Sequence, residues 1–226
     1  MEKAAPMHRS NLDKDIAEVQ LLFPKLKLFE EKKQKQLVGE IDIFDSHNQY
    51  AGSYDIKVLV PLRYPYGFPR LFETGKKFEH VPDRHVNDDN SCCICSLQEI
   101  DRISQRGITL VDFFVKHAVP YLANQIYFDN EGIWANGDYE HGAEGIFQFY
   151  KELLENSDII EVLRLINFLK EKKMHRNDDC YCGSGDKLKK CHLKTYDTIA
   201  DLSKKRLEED IIALKWLYKQ KIKIDV

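Results

Sequence analysis

The sequence predicts an α+β fold with a short metal-binding segment near its C-terminal end, and three observations carry that prediction. A helical apolar repeat gives way near Leu26 to a period of two that runs, between turn-like interruptions, as far as Thr74. A turn holding His85, Asn87, Cys92, Cys93 and Cys95 comes next, and after it the helical pattern returns. Toward the end, Cys180, Cys182, Cys191 and His192 have the residue types and spacing of a closed zinc site.

The first helix is expected to start at Ser10, with Asp13 three residues on in a capping box. It carries Leu12, Ile16, Val19 and Phe23 on one face and stops at Pro24. Four strands are predicted over Lys25–Glu30, Gln36–Phe44, Ser53–Pro61 and Arg70–Thr74. The third shows the alternation best: Tyr54, Ile56, Val58 and Val60 share one face while Asp55 and Lys57 take the other. Short connections such as Asp45-Ser46-His47-Asn48 imply that neighbours pair antiparallel, as a four-stranded meander flanked by helices.

Beyond the cysteine turn, Thr109 and Asp112 are expected to cap a helix bearing Leu110, Phe113, Phe114 and Leu122, which Pro120 should kink or split. The glycine-rich stretch 129–145 reads either as a turn into the next helix or as a loop that returns Asp138 or His141 to the cysteines, to help deprotonate an amine. Ile146, Phe149, Tyr150 and Leu153 mark one further helix. Ser157 should cap another, with Ile159, Val162, Ile166 and Leu169 on it. The charged run Lys170–Lys173 divides the chain into a main domain, 1–170, and a C-terminal module, 171–226. In that module a last helix from Thr198 and Asp201 carries Ile199, Leu202, Ile211, Leu214 and Tyr218, in a register that slips across its charged middle.

With 226 residues, 43% hydrophobic and 31% charged, the chain can bury a sizeable core. A net charge of -3 with runs of mixed sign reads as solvated faces, so no nucleic-acid partner is expected. No apolar run approaches the ~20 residues of a membrane span and no signal-peptide core opens the sequence, which predicts a cytoplasmic protein without a membrane partner. Six cysteines in two clusters fit a reducing compartment better than a disulfide framework.

The segment from His85 to Ser96 carries the chemistry. A thiolate on an exposed turn is a nucleophile and, once acylated, an acyl carrier. A nearby carboxamide can donate to the oxyanion when an amine attacks the thioester, and Asn87 is placed to do so if the turn Asp88-Asp89-Asn90-Ser91 folds it over the cysteines. Two other readings stand beside this one. His85, Cys92, Cys93 and Cys95 could ligate a second zinc ion, and Cys92-x-x-Cys95 has the spacing of a redox pair, although no βαβ unit precedes it.

These residues resemble the ubiquitin-conjugating enzymes, in which a His-Pro-Asn tripeptide is followed across a short turn by the catalytic cysteine. Laid on that pattern without a gap, His85, Asn87 and Ile94 match, and Cys95 takes the place of the nucleophile; shortening the turn by two residues would put Cys93 there. Tyr64-Pro65-Tyr66-Gly67-Phe68-Pro69 is similar to the family's Tyr-Pro-Phe-x-x-Pro segment, and one helix, four strands, a cysteine loop and then helices is its element order. Val86 stands where the family has proline, Cys92 where glycine is common, and no tryptophan occurs after the cysteine between Leu97 and Gly107.

The likeness covers roughly the first 170 residues and is greatest to bacterial members found in anti-phage operons. It implies a UBC-like fold and thioester transfer, with Cys95 as nucleophile, Asn87 on the oxyanion and His85 holding the loop. It also implies an adenylating enzyme as partner and, as cargo, a ubiquitin-like protein or a nucleotidyltransferase with a conjugatable C-terminus. A non-catalytic UBC-like binding or adaptor protein is the alternative.

Residues 176–192 form a candidate zinc module in which Gly183 and Gly185 permit the turn that lets Cys180 and Cys182 meet Cys191 and His192 on one Zn2+ ion. So short a segment has little core of its own, so the metal should supply most of its folding free energy, on the order of 10 kcal/mol. The segment resembles the SEC-C motif, which implies either a docking module or a structural staple.

Overall fold

The structure is a computed structural model that describes residues 11–135 and 140–224, with no side-chain description beyond residue 221. The fold is α+β, and the chain divides into two compact units. One takes in residues up to Cys95 together with Ile103–Asp138; the other takes in Ser96–Arg102 and the residues from Tyr139 onward.

In the first unit, α1 (Leu12–Leu22) begins at Asn11, whose side-chain oxygen accepts from the Asp13 and Lys14 amides at 3.1 and 3.4 Å. Asn11 therefore does the capping expected of Ser10, which lies outside the described residues. Strands β1 (Lys27–Glu31), β2 (Gln34–Phe44), β3 (Tyr50–Leu59) and β4 (Arg70–Glu73) come next in a single sheet of order β1-β2-β3-β4, each pair antiparallel. Each predicted strand is present, with no end moved by more than three residues.

The register sets Leu37 opposite Val58 and Ile41 opposite Tyr54, so one face of the sheet is continuously apolar. Helix α1 covers that face through Ile16 and Val19. The stretch from α3 (Leu110–Phe113) to α4 (Val119–Glu131) joins the same core through Leu110, Phe113, Phe114 and Leu122. Each such side chain fully removed from water contributes about 1.5 to 3 kcal/mol.

The step between α3 and α4 answers to Pro120. Phe114–Ala118 forms one π-helical turn while the backbone stays right-handed helical on both sides of it. Proline lacks the N–H that a regular helix would use here, and its ring would press on the carbonyl four residues back; a widened turn relieves both conflicts. Thr109 caps α3 as expected, accepting from the Asp112 amide at 3.0 Å.

The second unit contains part of α2 (Leu97–Arg106), then α5 (Gly142–Leu154), α6 (Ile159–Glu171), α7 (Leu193–Ala200) and α8 (Lys204–Ile224). The expected boundary at residues 170 and 171 falls inside this unit. Tyr150, Val162 and Ile166 share a core with Cys180, Leu188, Ile199 and Leu214. Asp158 rather than Ser157 caps α6, accepting from the Ile160 amide at 2.8 Å. The single last helix predicted from Thr198 onward is two helices. Ser203 interrupts it, its hydroxyl accepting from the Arg206 amide at 3.1 Å to start α8, which explains the slipped apolar register.

Asp210 is fully buried in this unit and accepts from Gln98, Tyr150 and Arg206 at 2.9, 2.8 and 2.7 Å. Burial raises its carboxyl above the usual range against the pull of those donors.

Gly39 marks the tightest approach in the sheet. At φ 152° it runs so close to Lys25 that an added Cβ would lie 2.2 Å from that carbonyl oxygen, a backbone atom that cannot swing away. Gly39→Ala is expected to destabilise the first unit by at least about 2 kcal/mol. Urea unfolding measures the change; a value within about 0.5 kcal/mol of wild type would contradict the close approach.

Candidate functional site

The cysteine loop is built like a miniature hairpin. Pro82–Arg84 forms one 3-10 turn that ends at His85, which takes the left-handed conformation at φ 52°. Val86 and Cys92 then form an antiparallel bridge, and the Cys93 amide donates to the His85 carbonyl at 2.7 Å. At the tip, Asn90 is also left-handed, and its amide donates to the Asn87 carbonyl at 2.8 Å. This is the turn chemistry expected of an Asp/Asn-rich segment.

Two elements hold the hairpin. The Cys92 amide donates to the carbonyl of Leu71 in β4 at 2.8 Å, so the loop runs on from the sheet edge. From α4, the Tyr121 hydroxyl donates to the His85 carbonyl at 3.0 Å and the Gln125 amide to the Arg84 carbonyl at 2.9 Å. The Tyr121 hydroxyl also adjoins the buried Cys92 thiol, which burial pushes up to about 12. Burial raises the Cys93 thiol as well. Both neighbours of Cys95 are thus held in the protonated, unreactive form at neutral pH.

Cys95 is half-buried, just ahead of α2. A ring nitrogen of His117 lies within 4.8 Å of its Sγ. His117 sits inside the π-helical turn and packs edge-to-face on Phe68 at 5.2 Å between ring centroids. Phe68 belongs to the tyrosine-proline segment, which Tyr64 anchors: its hydroxyl donates to Asp15 of α1 and accepts from the Leu110 amide at 2.9 Å. The peptide bond between Tyr64 and Pro65 is cis.

The other expected site residues take different places. Asn87 turns to Ser91 rather than over the cysteines: its Nδ2 donates to the Ser91 carbonyl at 3.1 Å and to the Ser91 hydroxyl at 3.0 Å. Ser91 in turn donates from its amide and hydroxyl to Asp89, and those bonds hold the Asp89 carboxyl below the usual range. The His85 ring packs on Trp134 at 4.7 Å. His85, Cys92, Cys93 and Cys95 do not converge as one ligand set among the described residues. Asp138 lies outside the described residues, and His141 belongs to the second unit.

His117 is the site residue that the sequence does not single out, because one histidine on an apolar helix gives no signal. Pro120 was the clue available, since relieving it widens the turn in which His117 sits.

In the second unit the four expected metal ligands do converge, their donor atoms all within 4.8 Å of one another. Cys182 and Cys191 sulfurs are 3.6 Å apart, and His192 Nδ1 lies 3.3 Å from the Cys180 sulfur and 3.0 Å from that of Cys191. Ordinary zinc bond lengths in a tetrahedron give edges of about 3.8 Å between sulfurs and about 3.5 Å from sulfur to nitrogen, so one ion fits the cage. Cys180 donates its amide to the Asp186 carbonyl at 2.8 Å, and Asp179 bridges Lys187 across the turn. The segment has more core than its length implied. Leu188 and Cys180 are buried among the helices of the unit, and the Met174 amide donates to the Tyr196 hydroxyl at 2.9 Å.

Among known proteins, a family model described as SEC-C motif matches residues 176–194. The UEV domain of yeast vps23, solved in complex with a vps27 PSDP peptide, is similar to this chain at 12% identity and a TM-score of 0.33, covering 55% of this chain and 86% of that one. That similarity is too slight to assign the fold. A search of curated proteins returns no match. No helix among the described residues is long and apolar enough to cross a membrane.

Protein purified without added metal is expected to carry one zinc ion per chain, held by Cys180, Cys182, Cys191 and His192. Replacing Cys191 with Ser should bring the zinc content close to zero and lower the melting temperature. Elemental analysis of the two proteins decides this, and a second tightly held ion in the wild type would contradict it.

Proposed function

We propose that this protein is a cysteine-dependent acyl transferase of the ubiquitin-conjugating type, with Cys95 as the acyl carrier. The observation that carries this reading is the placement of Cys95 at the exit of the anchored hairpin. Cys92 is buried and, like Cys93, held protonated by desolvation, while Cys95 is half-exposed at the end of a hairpin fixed to the sheet and to α4, with a ring nitrogen of His117 within 4.8 Å of its sulfur.

In this reading a separate adenylating enzyme activates the C-terminal carboxylate of a ubiquitin-like protein, or of a nucleotidyltransferase in an anti-phage system. The Cys95 thiolate attacks the acyl carbon, the bond to AMP breaks, and a thioester is left on the sulfur. An amine then attacks the thioester and the thiolate leaves. His85 serves the loop through its carbonyl, which accepts from Cys93 and Tyr121, and through its ring on Trp134. Asn87 shapes the turn through Ser91, and donating to the oxyanion would require it to exchange one of those bonds.

The zinc cage supplies structure rather than catalysis. Four protein ligands fill a tetrahedral ion and leave no open position for substrate. What the resemblance to SEC-C adds is a role in docking a partner.

The Asn87 geometry also favours a second reading, a non-catalytic adaptor that binds its partner without carrying it. A groove lined by Phe23, Phe44, Val115 and Val119 together with Lys25, Glu40 and Asp42 offers a surface for a partner in either case.

Co-expression with the neighbouring genes, followed by intact mass spectrometry, separates the two. Transfer predicts an adduct that hydroxylamine cleaves from the wild type, a hydroxylamine-resistant ester on Cys95→Ser, and no adduct on Cys95→Ala. An adduct that survives Cys95→Ala and is lost in Cys93→Ala would move the nucleophile. A partner that co-purifies without any adduct would establish the adaptor.

A further inference from the structure

We propose that His117 is the general base that takes the proton from the Cys95 thiol, an inference that rests on the transferase reading and assigns its proton acceptor. A ring nitrogen of His117 lies within 4.8 Å of the Cys95 sulfur, and catalytic hydrogen bonds are often long in a free enzyme and tighten when the reacting complex forms.

The surroundings fix the ring where it can serve. In a regular α-helix each residue advances 100°, and the one-residue expansion of a π turn rotates the later residues out of that register. Here the expansion covers Phe114–Ala118, directly before Pro120, so the proline that forces it is also what presents His117. Phe68 lies against the imidazole at 5.2 Å and against Phe113 at 5.3 Å, giving the ring an apolar wall. That wall is anchored in turn by Tyr64 bridging Asp15 and the start of α3. So much local structure around one histidine is not needed to fill a core, because Phe113 and Phe114 already fill it.

The charged and titratable groups nearby have their own balance. Lys116 and Asp112, on the same helix, neutralise one another at 2.7 Å. Cys92 and Cys93, the other thiols of the loop, stay protonated. Glu99, in the first turn of α2, is the acid nearest Cys95 in chain order.

The step is balanced at each stage. The proton moves from the Cys95 sulfur to a His117 nitrogen, leaving thiolate and imidazolium. The thiolate forms the C–S bond with an acyl adenylate, and the C–O bond to AMP breaks. When a neutral amine attacks the thioester, the C–N bond forms, the C–S bond breaks to release the Cys95 thiolate, and neutral imidazole takes the proton that the nitrogen sheds as it becomes an amide. His117 must first release the earlier proton to solvent, which links turnover to pH.

The test reads Cys95 alone and needs no cargo. The zinc-loaded full chain is alkylated with iodoacetamide between pH 5 and pH 10, and the rate at Cys95 is followed by fragment mass spectrometry of the peptide 85–102. Wild type should show a midpoint well below the ordinary thiol value of about 8.5. His117→Gln should raise that midpoint by about one unit or more and slow alkylation at pH 7 roughly tenfold. His117→Phe, which keeps an aromatic ring against Phe68, should do the same, so that a packing effect is separated from a missing base.

A midpoint unchanged in both His117 variants overturns the inference, even if adducts form on Cys95. A midpoint that moves as expected while no adduct ever forms leaves the thiol–imidazole pair standing and removes the transferase reading.

Discussion

The hydrogen bond from the Cys92 amide to the Leu71 carbonyl is the constraint on which the site depends. It makes the cysteine loop an extension of the β4 edge, and the buried Cys92 thiol fills the space beneath it as a small apolar side chain. The carbonyls of Arg84 and His85 would otherwise be loop groups in search of donors, and α4 supplies them through Tyr121 and Gln125. With both strands of the hairpin fixed, the exit of the loop is fixed as well, and Cys95 comes three residues after the anchor. A cysteine that looks redundant in the sequence is thus the foot on which Cys95 stands.

The two units use their cysteines for opposite purposes. In the first, desolvation keeps the Cys92 and Cys93 thiols neutral, and Cys92 serves as packing. In the second, three sulfurs and one imidazole nitrogen come together at separations that suit one shared cation. The chain passes from Cys95 straight into Ser96–Arg102, a segment of the second unit held there by Gln98 on Asp210 and by Ser203, whose amide and hydroxyl both donate to Asp101 at 2.7 Å. The cysteine loop and the four-ligand cage are therefore separate in chemistry and continuous in backbone.

Where packing alone decides, the sequence could be read. The alternation of Tyr54, Ile56 and Val58 gave β3 its buried face, the Thr109 hydroxyl capped α3, and the spacing of Cys180, Cys182, Cys191 and His192 marked the cage. Where one polar group chooses between partners, it could not. Asn87 had the residue type for an oxyanion donor, but Ser91, made near by the Asn90 turn, offered two acceptors within the loop. The break before α8 hid for a similar reason, because Ser203 reads equally well as a helix residue and as a cap. His117 was invisible because its placement comes from a π turn that no apolar period records. The boundary near residue 170 rested on a charged run, which marks a solvated surface as readily as a linker.

Rigidity of the hairpin is the central requirement for a reactive Cys95, and amide hydrogen exchange at Cys92 and Cys93 measures it most directly. If Cys92 is bonded to the sheet edge and Cys93 to His85, both amides should exchange as slowly as those of β3 and far more slowly than that of Asp88 at the loop tip. Exchange at Cys92 and Cys93 as fast as at Asp88 would mean that the loop is not held, and that Cys95 has no fixed place from which to react.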